Sequence, residues 1–402
     1  MIASSSGTRN QSDKNCKPSD SAIFSPRHLK VVFLVRSLHR GGTERQLVLL
    51  ATELCRLGCE VKVAVFYSGG ELEAELKQAG VPIVDLRKGG RWDLVGCLAR
   101  LIRYVRREKP EVLLSHLPDA NVLAALAKPF IKPTKLVWEV RASDVPTLKG
   151  GDWAARASFA GSCRLSSIPD LIVFNSRAGE QFHLLGGYHP KRAVVIPNGF
   201  DTDFFSPRPL SREQVRAEWG VPANAWLIGL VGRFDPIKGH ELFLNAAALL
   251  ARKRADVRFV LVGEGSPERA SQLRTLALSN HLENSVIWAG ERGDMPAVYS
   301  ALDILTLSSL AEGFPNAVGE AMACETPCVV CRVGDAAEIV GETGAVVPTG
   351  EPVRLEEGWM ALMSESASQF ALREKMARAR ILERFSVNRL TGATFQALSD
   401  LS

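Results

Sequence analysis

The sequence lacks any apolar run approaching the roughly 18 consecutive residues that a membrane-spanning helix needs. Stretches such as Ala225–Val231 are short and lie between turn signals. Residues 1–27 are rich in Ser, Asp and Asn and carry no apolar core of the secretory kind, so they read as a disordered tail. Charge of one sign is also scarce: 49 Lys and Arg against 44 Asp and Glu leave +5, too little to argue for a nucleic-acid binder. Eight cysteines in 402 residues make no disulfide framework. Cys328 and Cys331 form a C-x-x-C, but Cys-Val-Val-Cys-Arg-Val reads as a buried strand, and no second pair or His stands at zinc spacing. Free buried thiols and no metal are therefore expected. A G-x-G-x-x-G fingerprint and a Walker A loop are both missing, which lowers the dehydrogenase and NTPase readings, and no short-period repeat is visible.

What is present is an ordinary globular composition, 46% hydrophobic and 23% charged. At roughly 100–200 residues per domain the chain has room for two or three. Apolar strands alternate with amphipathic helices. Strands are expected at 30–35, 61–66, 81–86, 111–116, 135–140, 171–175 and 193–197, with helices such as 44–57, 93–107 and 119–128 between them. The rhythm breaks near 200–222, where Pro207 and Pro209 suggest a hinge, then restarts with strands at 227–231, 258–262, 286–288, 303–307 and 328–333. Such alternation predicts an α/β chain of two doubly wound parallel-sheet domains facing a cleft. The boundaries are a tail at 1–27, a first domain at 28–205, a second at 206–380 and a C-terminal helix at 381–402 that packs back on the first domain. Ligands of such sheets bind beyond the strands' carboxyl ends.

Three loops at those ends carry chemistry. Gly41-Gly42 lies between the first strand and a helix whose Thr43 and Gln46 have capping-box spacing; glycines there let an anion approach the helix N-terminus. Gly232-Arg233-Phe-Asp-Pro-Ile-Lys238-Gly239 holds two cations five apart, suited to a diphosphate. In Glu312-Gly-Phe-Pro-Asn316-Ala-Val-Gly-Glu320, Pro315 suits a helix's first turn, and carboxylates of this kind pair with sugar or ribose hydroxyls.

Arg233 and Lys238, followed by Glu312 and Glu320 with seven residues between them, resemble the signature of glycosyltransferase family 4, retaining nucleotide-sugar enzymes of the GT-B fold. Gly41-Gly42-Thr-Glu44-Arg45, Ile196-Pro-Asn-Gly199, Val262-Gly-Glu264-Gly265 and the run 321–327 resemble further family segments in the same order. The resemblance implies that Arg233 and Lys238 hold the donor diphosphate and stabilise the leaving nucleotide. It implies that Glu312 faces the donor sugar beside Gly313, Phe314, Pro315 and Asn316, that Glu320 binds the ribose, and that Gly41 and Gly42 approach from the other domain. Glu264 falls in its nucleotide loop. His116, at a strand's carboxyl edge, matches a histidine near the donor sugar, and Arg141 and Asp144 are acceptor-side candidates. The implied reaction uses a phosphate oxygen of the donor as base and no metal or other cofactor. Two positions depart from the family pattern: Gly319 replaces a larger apolar residue, and Glu325 replaces a glycine, where left-handed backbone would be strained.

Residues 87–109 hold eight Lys or Arg against Asp93 and Glu108, so 8 − 2 = +6, more than the whole chain's +5. On the helix at 93–109, Leu94, Leu98, Leu101 and Val105 share one face, expected to dock on the sheet, and Arg100, Arg103 and Arg107 share the other. The basic face is expected to rest on an anionic membrane surface. Together these features predict a cytoplasmic, peripheral hexosyltransferase. It would use a nucleotide sugar (UDP before GDP) and a sugar or lipid-linked acceptor in polysaccharide or glycoconjugate assembly. A GT-B nucleotide-sugar epimerase and a catalytically silent nucleotide-sugar binder are the competing readings.

Overall fold

The computed structural model describes residues 28–90, 92–141 and 153–401. The first domain runs β1 (Lys30–Val35), α1 (Gly42–Arg56), β2 (Glu60–Val65), α2 (Glu73–Gln78), β3 (Ile83–Asp85), α3 (Leu94–Glu108) and β4 (Val112–His116). It continues with α4 (Leu117–Ala127), β5 (Lys135–Val140), α5 (Trp153–Leu165), β6 (Leu171–Phe174), α6 (Arg177–Leu185) and β7 (Ala193–Val195). The second domain opens with α7 (Pro209–Glu218), β8 (Trp226–Val231), α8 (His240–Ala251), β9 (Val257–Val262), α9 (Pro267–Ser279) and β10 (Val286–Gly290). Then come α10 (Met295–Ala301), β11 (Ile304–Leu307), α11 (Asn316–Ala323), β12 (Cys328–Cys331), α12 (Ala336–Val340) and β13 (Ala345–Val347). Helices α13 (Pro352–Met363), α14 (Ala367–Arg384) and α15 (Val387–Ser399) close the chain.

The strands form two parallel sheets, ordered β3-β2-β1-β4-β5-β6-β7 and β10-β9-β8-β11-β12-β13. The central strands, such as β1 and β8, are apolar on both sides, as strands covered by helices on both faces must be. In β1, Val31, Phe33 and Val35 enter one core while Val32 and Leu34 enter the other. The same alternation puts Cys328 and Cys331 of β12 on opposite faces of their sheet, so the C-x-x-C cannot close on a metal or a disulfide. Both sheets reverse strand order beside their first strand, at β1/β4 and β8/β11, which fixes where a crevice opens.

Helices α6, α7, α10 and α12 went unread in the sequence. α7 begins at Pro209, one of the prolines read as breakers, but at a helix start the missing N–H is not needed. α3 also differs from expectation. Cys97, Leu101, Tyr104 and Val105 are buried, whereas Leu94 is exposed. Arg100 is half-buried rather than exposed, paired with Asp93 and donating to the Leu86 carbonyl at 2.6 Å.

The chain crosses between the domains twice, and the crossings pair. Phe200 N donates to Phe385 O at 2.9 Å, and Val387 N donates to Phe200 O at 2.8 Å. A Cβ on Gly199 would lie 2.7 Å from Leu390 Cβ and 3.0 Å from Val387 Cα, so glycine is required there. Gln46 grips the same residue, its Nε2 donating to Gly199 O at 2.8 Å and its Oε1 accepting from Gly199 N at 3.1 Å. Gln46 is therefore a hinge clamp and not half of a capping box; the N-cap of α1 is Gly41, and no side chain caps the helix. Beyond the second crossing, α15 inserts Leu390, Phe395 and Leu398 into the first domain's core beside Leu47, Leu50 and Leu54.

The departure at Gly319 has a partner. A Cβ there would sit 2.1 Å from the ring of Phe200, which also stacks on Phe314 with ring centroids 6.2 Å apart. The hinge aromatic occupies the space a larger residue would fill. At the other departure, Glu325 does adopt left-handed backbone, with φ at 64°. Gly319→Leu should cost about 1–3 kcal/mol by overpacking. Adding Phe200→Val should recover most of the loss in urea unfolding; independent, additive losses would contradict the pairing.

Candidate functional site

A cavity of about 280 Å³ lies between the domains. The first domain contributes Gly42, Thr43, Arg141, Asn175 and Asn198 to its lining. From the second come Lys238, the β11 end with Ser308 and Ser309, Glu312, and Phe314 to Ala317. Helices α1 and α11 both begin at this cavity, and neither has a side-chain cap. Two helix N-termini converging on one space present N–H groups and positive dipole ends, the conditions for holding an anion.

Local structure sets the charges. Asp235 caps the short turn Pro236–Lys238 by accepting from Ile237 N at 3.0 Å, and Gly239 leaves the turn with φ at 66°. A Cβ on Gly239 would meet Ser308 O at 2.0 Å, so the loop can approach the end of β11 only with glycine. Lys238 Nζ then donates to Glu312 Oε1 at 2.6 Å, and Ser309 Oγ donates to the same oxygen at 2.7 Å. Across the cavity, the Arg141 guanidinium is buried and held by Glu139 at 2.6 Å and by Asn198 Oδ1 at 2.6 Å. Asn198 Nδ2 donates to Asn316 Oδ1 at 2.7 Å, and Asn316 Nδ2 reaches Gly42 O at 3.5 Å. A polar relay thus runs from the first sheet to the start of α11.

The structure brings Gly42, Arg141, Lys238, Glu312, Phe314, Pro315 and Asn316 together, with Gly41 and Gly313 adjacent in the same loops. Pro315 is the N-cap of α11 rather than its first-turn residue. Four expected residues stand elsewhere. Arg233 and Glu264 are exposed on neighbouring loops, joined by Phe234 N donating to Glu264 O at 2.8 Å. Glu320, one turn beyond Asn316, lines a separate cavity of about 470 Å³ with Arg45, Gln46, Phe200 and Phe204. It accepts from the Tyr299 hydroxyl at 2.7 Å, and burial raises its carboxyl pKa. His116 requires the clearest correction. It is wholly buried, stacked on Phe33, with its ring against the Glu139 carboxylate. The last side chain of β4 turns into the core, so His116 backs Glu139, which in turn holds Arg141. Asp144 lies outside the described residues.

Several residues went unnoticed in the sequence: Asn175, Asn198, Tyr299 and Asp335. Asn198 lay inside a segment read only as a connector, and Asp335 gave no signal. The Asp335 carboxylate accepts from Arg177 N at 2.7 Å and Ala178 N at 3.0 Å, capping α6 of the other domain beside that helix's own cap, Ser176. Asp335 N donates to Gly313 O at 2.9 Å, so this interdomain latch is fastened to the Glu312 loop. Among the described residues, no cluster of three or more His, Cys, Asp or Glu is placed to hold a metal ion.

This architecture is shared. The profile "Glycosyltransferase Family 4" matches residues 40–204 and "Glycosyl transferases group 1" matches 225–365, one in each domain. The chain belongs to glycosyltransferase family 4 and has the GT-B fold. It is 28% identical over 377 residues to a D-inositol 3-phosphate glycosyltransferase of Kineococcus radiotolerans, covering 84% of this chain and 86% of that protein. It is 31% identical to the Segniliparus rotundus protein of the same name over 224 residues, 54% of this chain but only 48% of that relative. Among solved structures, Anabaena HepE in complex with UDP superposes with a TM-score of 0.82 at 24% identity, over 92% of this chain and 100% of that one. HepE with UDP-glucose gives 0.79 at 25%, over 93% and 100%.

Two outcomes follow from this geometry. Burial pushes His116 down to about 4 against the attraction of Glu139, and burial with Arg269 pushes His240 down to about 4. The unfolded chain takes up these protons near pH 6.5 and the folded one does not. Stability should be full above that pH and fall as pH drops towards 4, by up to about 1.4 kcal/mol per pH unit for each histidine. Urea unfolding at pH 7, 6 and 5 should show a shallower fall in His240→Gln; an unchanged slope would refute the assignment. Asp335→Ala should open the cleft, raising the radius of gyration in X-ray scattering and costing about 1.5–3 kcal/mol for the lost charge-assisted bonds.

Proposed function

We propose that this protein is a retaining glycosyltransferase that moves a hexosyl group from a UDP-sugar, in preference to a GDP-sugar, to a lipid-linked acceptor in polysaccharide or glycoconjugate assembly. The reading needs no metal, and places the enzyme at the cytoplasmic face of a membrane. The observation that carries it is the Lys238–Glu312 pair set between two uncapped helix N-termini, a cation and a carboxylate side by side where a sugar diphosphate would lie.

In this reading the diphosphate sits between α1 and α11. Lys238 neutralises the charge that grows on the leaving nucleotide, the kind of preorganised electrostatic help that lowers a barrier most. Arg233 closes from the rim. Glu312, freed from part of its pairing, accepts from a sugar hydroxyl. Glu320 keeps its bond to Tyr299 and offers its other oxygen to a ribose hydroxyl. The acceptor attacks from the side the nucleotide leaves, and a donor phosphate oxygen takes its proton, so no basic side chain is required. The UDP and UDP-glucose bound by HepE support uridine, and the relatives named for D-inositol 3-phosphate support an acceptor that carries phosphate.

Thermal unfolding with UDP, GDP and ADP, without and with magnesium, tests the donor assignment. UDP at 100 times its dissociation constant should add about 2.7 kcal/mol, with or without magnesium. Lys238→Ala should lose most of that gain and lower turnover by about 10²–10³. No gain with any nucleotide would overturn the proposal, and a gain with UDP but no turnover of any donor would favour the catalytically silent binder. Turnover of the donor without an acceptor and without net hydrolysis would favour an epimerase.

A further inference from the structure

Arg45 projects from the first turn of α1, one residue before the hinge clamp Gln46, and Glu320 projects from α11, one residue after Gly319. The hinge joins these two places in register. Gln46 holds Gly199 by both its backbone groups, and the next hinge residue, Phe200, fills the space that Gly319 leaves open. A first-domain cation and a second-domain carboxylate therefore flank the same hinge residues, and both line the cavity of about 470 Å³ beside them. The glycine that departs from the family pattern makes this approach possible, because a Cβ at 319 would lie 2.1 Å from the Phe200 ring.

The Glu320 carboxylate is only half satisfied. Its Oε2 accepts from the Tyr299 hydroxyl at 2.7 Å, and no other hydrogen bond reaches it among the described residues. Burial raises its pKa, and the Tyr299 bond and the charge of Arg45 oppose that rise. Burial and the Glu320 charge raise Tyr299 as well, again against Arg45. The other groups around the carboxylate are neutral or committed. Cys324, on the next turn of α11, is a thiol that burial pushes up to about 12. Arg378 of α14 donates to Phe205 O at 3.0 Å and Thr202 O at 3.1 Å, and Arg208 donates to Phe204 O at 3.2 Å. In the cavity lining, Asp201 accepts from Phe204 N at 3.0 Å, Arg56 pairs with Glu53 at 2.5 Å, and Glu75 of α2 adds a further carboxylate. Arg45 is exposed and makes no hydrogen bond or salt bridge among the described residues, so its charge is available to Glu320.

We infer that Arg45 is a positioning residue for Glu320: from the other domain it faces the carboxylate across the hinge cavity and holds it as an ionised acceptor for the ribose hydroxyls of the donor. The inference rests on the transferase reading for the ribose, and adds a first-domain residue on which the second domain's grip depends. Because cation and carboxylate belong to different domains, ribose recognition is complete only while the hinge keeps the two together.

The test compares binding of UDP and 2′,3′-dideoxy-UDP to the full chain by calorimetry. The wild type should prefer UDP by about tenfold or more, the worth of a hydrogen bond to a charged group. Arg45→Met, which keeps length without charge, should lose most of that preference at neutral pH, and Arg45→Lys should keep it. The ratio of the two affinities cancels the ionisation of the diphosphate, which both nucleotides share. As pH falls, Glu320 takes up a proton and the ratio declines; in Arg45→Met the decline should begin at higher pH, because the charge that opposes protonation is gone. A merely structural role for Arg45 would weaken both nucleotides alike and leave ratio and profile in place. The Tm without nucleotide should match the wild type's in both variants, which shows that they fold. UDP binding with an unchanged ratio and profile in Arg45→Met would overturn this inference alone, as would a loss in Arg45→Lys as large as in Arg45→Met, or a wild type that binds both nucleotides equally. No binding of UDP by the wild type would overturn the transferase reading and this inference with it.

Discussion

The pairing of the two chain crossings, Phe200 against Phe385 and Val387, is the constraint on which the cleft depends. Two rigid sheets joined by one strand could swing freely; two paired crossings share an axis and leave mainly opening and closing. Gly199 allows the crossings to touch, Gln46 ties them to α1, and α15 returns to the first domain's core, so the second crossing is anchored at its far end. The same Phe200 packs on Gly319 and Phe314, which connects the hinge to the helix whose N-terminus faces the ligand space. Hinge and site are therefore one packing unit.

Within the cleft, the arrangement suits a ligand that brings negative charge. Two helix starts, Lys238 and Arg141 supply positive potential. Glu312 and Glu139 hold those cations in place and limit the penalty of burying Arg141 and much of Lys238 without a ligand. Polar links also cross between the domains: Asp335 on the start of α6, and Asn198 on Asn316. Because Asp335 also holds the Glu312 loop through Gly313 O, closure and positioning of that carboxylate are mechanically joined.

Local sequence determined much of this. The apolar strands and helix rhythms specified two parallel sheets, since β1 and β8 are apolar on both faces and only a helix-covered sheet accommodates that. The loops with Gly42, Lys238 and Glu312 were legible because the carboxyl ends of parallel strands open on the ligand crevice, where glycine admits a close approach and charge meets charge. What only the tertiary structure decided were the directions of side chains and the contacts between distant segments. His116 and Glu320 occupy the expected elements, yet one turns into the core and the other towards Tyr299, because the packing of the neighbouring strand or helix sets the side chain's course. Gln46 has the spacing of a cap and serves a hinge 153 residues away. Asp335 caps a helix 157 positions earlier in the chain. Periodicity is a property of neighbours along the chain; a cleft is made by residues that meet only after both domains have folded.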